Sequence, residues 1–287
     1  MIVCCGLLTV DVLQTVERLP RPDEKVVARQ LAVDFGGPAA NAAATAVALG
    51  SGVRLVASVG DGPLAQVARS GLDRAGVTVA DVADGGDPAL STVLVTAGTG
   101  ERAVVSTNAT SAVGASVEVD GLARGMGPGD VLLVDGHLPG VALGLAREVR
   151  RRGGIVVMDA GSWKPGTSEL VAASDLVVAS ADFCIPTDLR ESGRGVVETL
   201  RSWGPRTVAQ SAGGASFVAS VRGVPTTILV RRPDRVVDTL GAGDVLHGAL
   251  AAFCDQGLDD GVALQRAADV ATVSVGHSGA RGWIVEP

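Results

Sequence analysis

Two acids flank a small-residue turn near the end of the chain. The stretch VVDTLGAGDVLHGALAAF, residues 236–253, contains Asp238 before the turn and Asp244 after it. The turn itself consists of Gly241, Ala242 and Gly243. The pattern predicts a strand that ends at 236–237 and a helix that begins at Gly243, so the amides of the turn would lie at the positive end of a helix dipole.

This arrangement predicts an anion site with a base beside it. Glycine allows a phosphate to approach the backbone closely. A carboxylate at Asp244 suits a general base that removes the proton from an attacking hydroxyl group. The simpler alternative is that Asp244 only caps the helix and that the glycines only form a turn.

Two further polar side chains occur where a substrate could meet them. In residues 33–50, Gly36 and Gly37 precede an alanine-rich helix that contains Asn41, whose amide needs a partner if it is buried. A substrate hydroxyl is one such partner, and a backbone group is the alternative. Asp11 follows the first predicted strand, where the carboxyl edge of a parallel sheet would present it to a ligand. Alone, Asp11 is also compatible with an ordinary turn.

Short β-branched segments alternate with alanine-rich segments along the chain. The predicted strands are 2–8, 53–59, 131–134, 155–158, 176–178 and 207–209. The predicted helices are 39–49, 63–75, 141–152 and 196–203. This alternation indicates an α/β fold with a mainly parallel central sheet and helices on both faces.

Residues 12–35 and 91–107 interrupt the alternation and predict a β lid. Each reads as a pair of strands, with turns at RPDE, 21–24, and at GTGE, 98–101. We expect one domain over 1–287, from which this lid projects. Its apolar residues predict lid-to-lid pairing in a homodimer, the alternative being that they pack within the lid. These residues are Val26, Ala28, Leu31, Val93, Val95 and Val104.

Composition limits the class of protein. The 287 residues are 47% hydrophobic and 19% charged, which fits a globular chain, and the net charge of −7 argues against a nucleic-acid partner. Glycines and charges interrupt every apolar stretch, so we expect no membrane span. The four cysteines show no metal-ligand spacing, and we expect buried free thiols in a reducing cytoplasm.

Taken together, the motifs resemble the ribokinase-like, or PfkB, family of carbohydrate kinases. The first family signature corresponds to GGPAAN, 36–41, the second to DTLGAGD, 238–244, and the family's Gly-Asp segment to VGDGPLA, 59–65. Gly6 and Asp11 fit the start of the family pattern, and the order of elements agrees over nearly the whole chain. The resemblance implies a three-layer α/β/α sandwich with a β lid, ATP as phosphoryl donor, and Mg²⁺ bridging the phosphates.

The resemblance also implies a role for each matched residue. Asp244 would be the catalytic base, and the backbone of Gly241, Ala242 and Gly243 the anion hole. Sugar hydroxyls would be held by Asp11, Gly36, Gly37 and Asn41. The nucleotide would contact Ser211, Gly213, Gly214, Gly276 and Gly279. Asp238 and Thr239 would lie near a monovalent cation, K⁺ in similar proteins.

The chain also departs from the family pattern. The Asn-x-x-Glu element that arranges Mg²⁺ and phosphate is replaced by Ser-Ala-Asp-Phe, 180–183, so Asp182 would substitute for the glutamate. Pro38 occupies the position where ribose-handling members often have lysine, which disfavours ribose. Segments 134–140 and 156–166 look closer to the ketohexose-handling branch, which includes sulfofructose kinase-like proteins.

Three side chains would meet the end of the substrate farthest from ATP if the family layout holds: Lys25, Asn108 and His137. An anionic tail usually calls for a fixed arginine, and position 137 is histidine, so we expect a neutral ketohexose. The alternative is that Lys25 and His137 are solvated surface residues.

Two other functions remain open at the level of the sequence. A nucleoside kinase would share both signatures, but it would need lid aromatics to stack on a base, and the first lid stretch supplies only Phe35. A catalytically silent protein that senses a sugar or a nucleotide is the alternative from a different class. The altered Asn-x-x-Glu element favours it, whereas the intact Asp244 and glycine turn argue against it.

Overall fold

A computed structural model describes residues 1–98, 101–108, 117–190 and 193–284. Nine strands of these residues form one sheet in the order β13-β12-β11-β10-β9-β8-β1-β4-β5. They are β1 (Ile2–Cys5), β4 (Val53–Ala57), β5 (Thr78–Asp81), β8 (Val131–Val134), β9 (Ile155–Ala160), β10 (Leu176–Ala179), β11 (Thr207–Gln210), β12 (Phe217–Val221) and β13 (Val224–Ile228). All neighbours are parallel except β12 and β13, which add an antiparallel hairpin at one edge.

Helices cover both faces of this sheet. They are α1 (Pro38–Ala48), α2 (Pro63–Arg74), α3 (Val119–Leu122), α4 (Pro139–Arg151), α5 (Thr167–Ala172), α6 (Val196–Ser202), α7 (Ala242–Asp255) and α8 (Asp260–Ser274). Successive side chains of a strand point to opposite faces, and β1 shows the result. Ile2 and Cys4 join the core under α1, α2, α7 and α8, whereas Val3 and Cys5 join the core under α4, α5 and α6. The predicted three-layer α/β/α fold class is therefore confirmed.

The lid is a second sheet of four strands, in the order β3-β2-β6-β7. They are β2 (Thr9–Val16), β3 (Gln30–Gly36), β6 (Ala89–Thr96) and β7 (Arg102–Ser106). Each predicted strand pair is antiparallel, as expected, while β2 and β6 join the two pairs in parallel. The turn at 21–24 is present, with the amide of Glu24 bonded to the carbonyl of Arg21. Part of the predicted turn at 98–101 lies outside the described residues.

Several predicted boundaries are wrong. No strand ends at 236–237, because β13 already ends at Ile228 and residues 229–240 cross the sheet edge without strand pairing. Asp11 lies inside β2 of the lid, not after a strand of the main sheet. Val26 and Ala28 lie in the segment between β2 and β3 and belong to no strand. Cys184 is exposed, so only three of the four thiols are buried.

Three helices begin at a proline, a start that the spacing of apolar residues alone does not show. Pro38, Pro63 and Pro139 each stand at the first helical positions, where the missing amide hydrogen costs nothing. The helix predicted from residue 141 therefore begins earlier, at Pro139. Within the described part of the chain, no helix has both the length and the apolarity needed to cross a membrane.

Candidate active site

Acids from several elements meet at the carboxyl edge of the main sheet. Asp135 follows β8 directly, Asp159 is near the end of β9, and Asp244 lies in the first turn of α7. Parallel strands present their following residues at one edge, which explains the convergence. Asn41 of α1 joins them, because its Nδ2 donates to Oδ2 of Asp244 at 2.7 Å.

Asp244 has the electrostatic character of a base that works near neutral pH. Burial, followed by the nearby charge of Asp159, raises the pKa of Asp244 to about 7, although the hydrogen bond from Asn41 and the proximity of His247 oppose this rise. The cap of α7 is Gly241, and no side chain caps the helix. The capping role considered for Asp244 is therefore wrong, and no side chain supplies a cap acceptor to the first amides of α7.

The turn before α7 requires glycine at one position and leaves open space at another. Gly241 has a φ of 74°, and a Cβ there would lie 2.3 Å from the Cβ of Ala280. Gly243 has no atom within 4 Å of the position of a Cβ, and it is exposed. Gly241 therefore allows the chain to pack under the turn, while Gly243 leaves the outer side of the turn free for an anion.

A cavity of about 390 Å³ opens beside this turn. Its wall includes Ser211, Gly213, Gly214, Thr239, Ala242 and Gly243. Apolar side chains form much of the rest, among them Val230, Val236 and Val275. Gly276 lines a neighbouring cavity of about 330 Å³, whereas the amide of Gly279 donates to Oδ2 of Asp238. A mostly apolar cavity that ends at helix amides can hold the ring system of a nucleotide at one end and its phosphates at the other.

Asp135 is the acid that links the main sheet to α1. Its carboxylate accepts the amides of Leu7 at 2.8 Å, Ala39 at 3.2 Å and His137 at 2.9 Å. Burial alone would raise the pKa of Asp135, but these hydrogen bonds and the His137 ring outweigh burial and hold the pKa below its usual range. Gly6 makes room for it, since a Cβ there would lie 2.0 Å from Oδ1.

Behind Asp244, His247 and Asp159 form a buried pair. Nδ1 of His247 lies 3.4 Å from Oδ2 of Asp159 and 2.6 Å from the carbonyl of Gly243, and Nε2 lies 3.0 Å from the carbonyl of Val178. Burial raises the pKa of Asp159. The pair ties α7 to strands β9 and β10, so it holds the first turn of α7 against the sheet edge.

On the lid side, Asp11 and the paired glycines interlock. Thr9 donates to Oδ1 of Asp11 at 2.6 Å, and burial raises the pKa of Asp11. A Cβ at Gly36 would lie 2.0 Å from Oδ2 of Asp11, and Gly37 has a φ of 93° with the carbonyl of Leu7 2.5 Å from its Cβ position. Each glycine is thus required by its surroundings: Gly36 by the Asp11 carboxylate and Gly37 by the backbone.

Two arginines absent from every sequence motif reach the site. Arg102 of β7 donates to Oγ1 of Thr239 at 2.8 Å and lies 3.7 Å from Oδ1 of Asp238. Arg281, which follows α8, donates to Oδ1 of Asn41 at 2.5 Å and to Oδ2 of Asp34 at 2.9 Å. A lid residue and a C-terminal residue therefore both contact the predicted machinery.

The residues suggested for metal ions show no built site. Asp238 accepts the amides of Leu240 and Gly279, and the guanidinium of Arg102 lies 3.7 Å from its Oδ1, so a cation at this carboxylate would meet a positive charge. Asp182 is exposed in the loop 180–183, whose carbonyls accept Nε2 of Gln210. No group of three or more metal-ligating side chains occurs in the described residues. Mg²⁺ fits as an ion carried by nucleotide phosphates, which needs only one or two carboxylates.

The far-end residues are not brought together by direct contacts. Lys25 is exposed in the segment between β2 and β3, and Asn108 follows β7 with a φ of 53°. His137 is mostly buried, with Nδ1 3.2 Å from Oδ1 of Asp135. Within the described chain, no hydrogen bond or ion pair joins these three side chains. A different lysine approaches this segment: Nζ of Lys164 is 3.5 Å from the carbonyl of Asp135, two residues before His137.

Some of these residues could have been found in the sequence. Asp135 and Asp159 each stand at the end of a predicted strand, the same signal that singled out Asp11. Arg102 and Arg281 carried no such signal, because each depends on long-range packing of the lid or of the chain after α8.

Comparisons with known proteins agree with the geometry. A family model described as pfkB family carbohydrate kinase matches residues 1–285. An ATP-dependent ribose-1-phosphate kinase of Halopiger xanaduensis is 30% identical, over 98% of this chain and 93% of that protein. Among solved structures, ribokinase of Thermotoga maritima has a TM-score of 0.81 at 20% identity, covering 99% and 96% of the two chains. Ribokinase of Arabidopsis thaliana with ribose and ATP has a TM-score of 0.78 at 20% identity, covering 99% and 95%.

The fold, the glycine turn with its adjacent acid and the match over nearly the whole length lead to one conclusion. The chain belongs to the pfkB family of carbohydrate kinases and is an ATP-dependent phosphotransferase that acts on a sugar hydroxyl.

Proposed function

We propose that this kinase transfers the γ-phosphoryl group of ATP to a hydroxyl of a small neutral sugar, with a ketohexose as the first candidate. The observation that carries the proposal is the position of Asp244. It lies between the uncapped start of α7, which borders the apolar cavity, and Asn41, which borders the lid. A hydroxyl bound beside Asn41 would thus meet both a base and a phosphoryl group.

The chain's own residues supply positioning and charge stabilisation. Asp244 accepts the proton of the attacking hydroxyl, while the first amides of α7 stabilise negative charge on the phosphoryl oxygens. Asp11 and Asn41 orient the sugar, and Ser211, Gly213 and Gly214 border the nucleotide. When bound, Mg²⁺ would neutralise phosphate charge, and Asp182 is the acid that stands in place of the family's glutamate. The roles proposed for Asp244 and for the amide of Gly243 do not depend on whether Asp182 contacts the ion.

The charges around the sugar site favour a neutral substrate. Asp11, Asp135, Asp159 and Asp244 are carboxylates, which accept hydrogen bonds from sugar hydroxyls and repel an anionic tail. Of the nearby cations in the described residues, Arg281 is bonded to Asp34, Arg102 is bonded to Thr239, and Lys164 lies against the carbonyls of residues 135 and 162. Negative charge is therefore in excess.

A sugar phosphate is the second candidate. The 30% identical relative is an ATP-dependent ribose-1-phosphate kinase, and Lys164 could leave its weak carbonyl contacts, at 3.4 and 3.5 Å, for a phosphate. The neutral candidate needs no such change, so we place it first.

A nucleoside is disfavoured by the state of Phe35. Its ring carries the guanidinium of Arg281 at 3.7 Å from the ring centroid, and the side chain is only 3% exposed. A base stacked in the lid would need that face. Three buried thiols agree with a reducing compartment, and we propose a cytoplasmic enzyme.

A substrate panel tests the proposal. kcat/KM would be measured with ATP and Mg²⁺ for fructose, ribose, ribose 1-phosphate, a fructose phosphate and inosine at matched ionic strength. We expect the highest value for a neutral sugar. A clear preference for a phosphorylated sugar would support the second candidate, and a preference for inosine would overturn both.

The same assay tests the dependence on a monovalent cation. Replacing K⁺ by Na⁺ should change activity little, because Arg102 already donates a hydrogen bond to Oγ1 of Thr239.

A further inference from the structure

Arg281 lies where three elements of the site meet. It follows α8, and its neighbour Ala280 packs against Gly241 of the turn before α7. Its guanidinium stacks on Phe35 and donates to the carbonyl of the same residue at 2.8 Å. The side chain is 22% exposed, so it is largely fixed by its neighbours.

The hydrogen bonds of Arg281 continue to the candidate base. Nη1 of Arg281 donates to Oδ1 of Asn41, and Nδ2 of the same amide donates to Oδ2 of Asp244. Asn41 is only 7% exposed, so both ends of its amide need partners. Because guanidinium only donates and carboxylate only accepts, the amide has one orientation that satisfies both neighbours.

The contacts of Arg281 argue against direct binding of a substrate anion. Nη2 is bonded to Asp34, and Nη1 is bonded to Asn41. Asp34 neutralises the charge, and the stacked ring of Phe35 covers one face of the fork. A bidentate contact with a phosphate would break several of these interactions at once.

We propose that Arg281 is a positioning residue, which fixes the amide of Asn41 and thereby holds Asp244 in the orientation required to accept the substrate proton. The proposal rests on the proposed kinase function. It assigns to the segment after α8 a part in the chemistry, in addition to its place beside the nucleotide cavity.

Loss of Arg281 should change how the Asp244 carboxyl titrates. A free amide of Asn41 can rotate and present Oδ1 to Asp244, an arrangement that is stable only when the acid is protonated. The titratable groups facing Asp244 are Asp159 from β9, Asp135 after β8 and His247 of α7. None of them contacts Arg281 in the described residues, so they stay in place when Arg281 is replaced.

The test uses Arg281→Met, which keeps the length of the side chain but removes its charge, and Arg281→Lys, which keeps the charge but not the fork. We expect Arg281→Met to lower kcat about 10- to 100-fold, to leave KM for ATP unchanged, and to move the acid limb of the pH profile upward by about one unit. Arg281→Lys should recover part of kcat. If Arg281→Met fails to fold, Arg281→Lys carries the same measurements with smaller changes.

Two comparisons make the result specific. The double variant Asn41→Ala/Arg281→Met should be no slower than Asn41→Ala, because Arg281 acts through Asn41. Arg266→Ala, on the exposed side of α8, is the matched control and should behave as wild type. The proposal would be overturned if the fold losses of kcat in the two single variants multiplied in the double variant. An unchanged pH profile in Arg281→Met, or a higher KM for the sugar with normal kcat, would overturn it as well.

A measurement without turnover separates this proposal from the proposed function. Carbon-13 NMR of the labelled aspartate carboxyls follows the titration of Asp244 in the free enzyme, with Asp244→Asn to assign the signal. We expect the titration to shift upward in Arg281→Met even if no tested sugar is phosphorylated. Wild-type inactivity on the whole panel would count against the proposed function, while an unshifted titration would count against the role of Arg281.

Discussion

The role proposed for Asp244 depends on the balance between its two protonation states. Burial and the nearby acid Asp159 favour the neutral carboxyl, whereas Asn41 and the more distant His247 favour the carboxylate. The balance places the pKa at about 7. A base of that strength is matched to a neutral pH, since about half of it is deprotonated there and it can still hold a proton in the transition state.

This balance predicts the pH dependence of catalysis. Below the pKa, Asp244 is protonated and cannot accept the substrate proton, so kcat/KM for the sugar should fall tenfold for each pH unit below about 7. Initial rates between pH 5 and 9 at constant ionic strength check this. A profile that is flat down to pH 5 would show that Asp244 is ionised throughout or is not the base.

Replacement of the base gives a second prediction. Asp244→Asn should lower kcat by about 10² to 10⁴, the range for loss of a positioned general base. Affinity for ATP should persist, because the uncapped amides of α7 do not depend on the side chain. Calorimetry with a non-hydrolysable ATP analogue and single-turnover rates separate the two effects. Near-normal turnover in Asp244→Asn would remove Asp244 from the mechanism.

The two glycines of the turn before α7 have different surroundings, so we expect an alanine substitution to have different effects at the two positions. In Gly241→Ala the new methyl would meet Ala280 in a backbone conformation with a φ of 74°, so the free energy of unfolding should fall by about 2 kcal/mol. In Gly243→Ala the methyl meets nothing in the protein, so stability should be kept while KM for ATP rises. Thermal unfolding and ATP kinetics on both variants check this, and equal behaviour of the two would contradict it.

The elements show why the sequence predicted some features and not others. Six strands of the main sheet and the helices α1, α2, α4 and α6 were predicted, because their β-branched or alanine-rich segments can be recognised locally; β5, β12 and β13 were not predicted. The strand expected at 236–237 is not formed, and Val236 instead lines the cavity beside α7. Apolar periodicity cannot distinguish a residue that packs on the sheet from one that contacts a ligand.

Local sequence patterns also predict only some residues of the candidate active site. Asp11, Asn41 and Asp244 stand in local motifs, so their positions near the site could be predicted from neighbouring residues. Arg281 meets Asn41 across 240 positions of the chain, and Arg102 meets Thr239 across 137. Contacts over such distances arise only when the whole fold is assembled, and no spacing rule encodes them.

Among the described residues, one face of the lid carries apolar side chains that remain exposed. Val33 pairs with Val12 in the lid, Val12 with Thr92, and Thr92 with Val105, so Val33 and Val105 share a face. On that face Leu31, Val33 and Val105 are 67%, 46% and 75% exposed. Val93, by contrast, is buried within the lid, and Val104 lies on the opposite face with Asp11. We propose a homodimer in which two such faces meet.

Light scattering tests this assembly. The wild-type chain should have the mass of a dimer at micromolar concentration, and Val33→Glu should give a monomer, because a charge at a buried interface is costly. Val262→Glu, on an exposed position of α8, is the control and should stay dimeric. A monomeric wild-type protein would remove the proposal and leave the lid face as ordinary surface.

We propose that Arg102 links the binding of the sugar to the binding of ATP. The arginine belongs to the lid, yet its guanidinium is hydrogen-bonded to Thr239 on the wall of the cavity beside α7, which we propose as the nucleotide site. If a bound sugar moves the lid and changes this bond, sugar and ATP should alter each other's Kd by one common factor. Calorimetry in both orders of addition should give that factor, and Arg102→Met should bring it to one. A factor that tightens both Kd values would let the enzyme hold ATP most firmly when an acceptor is present, which limits wasteful hydrolysis by water.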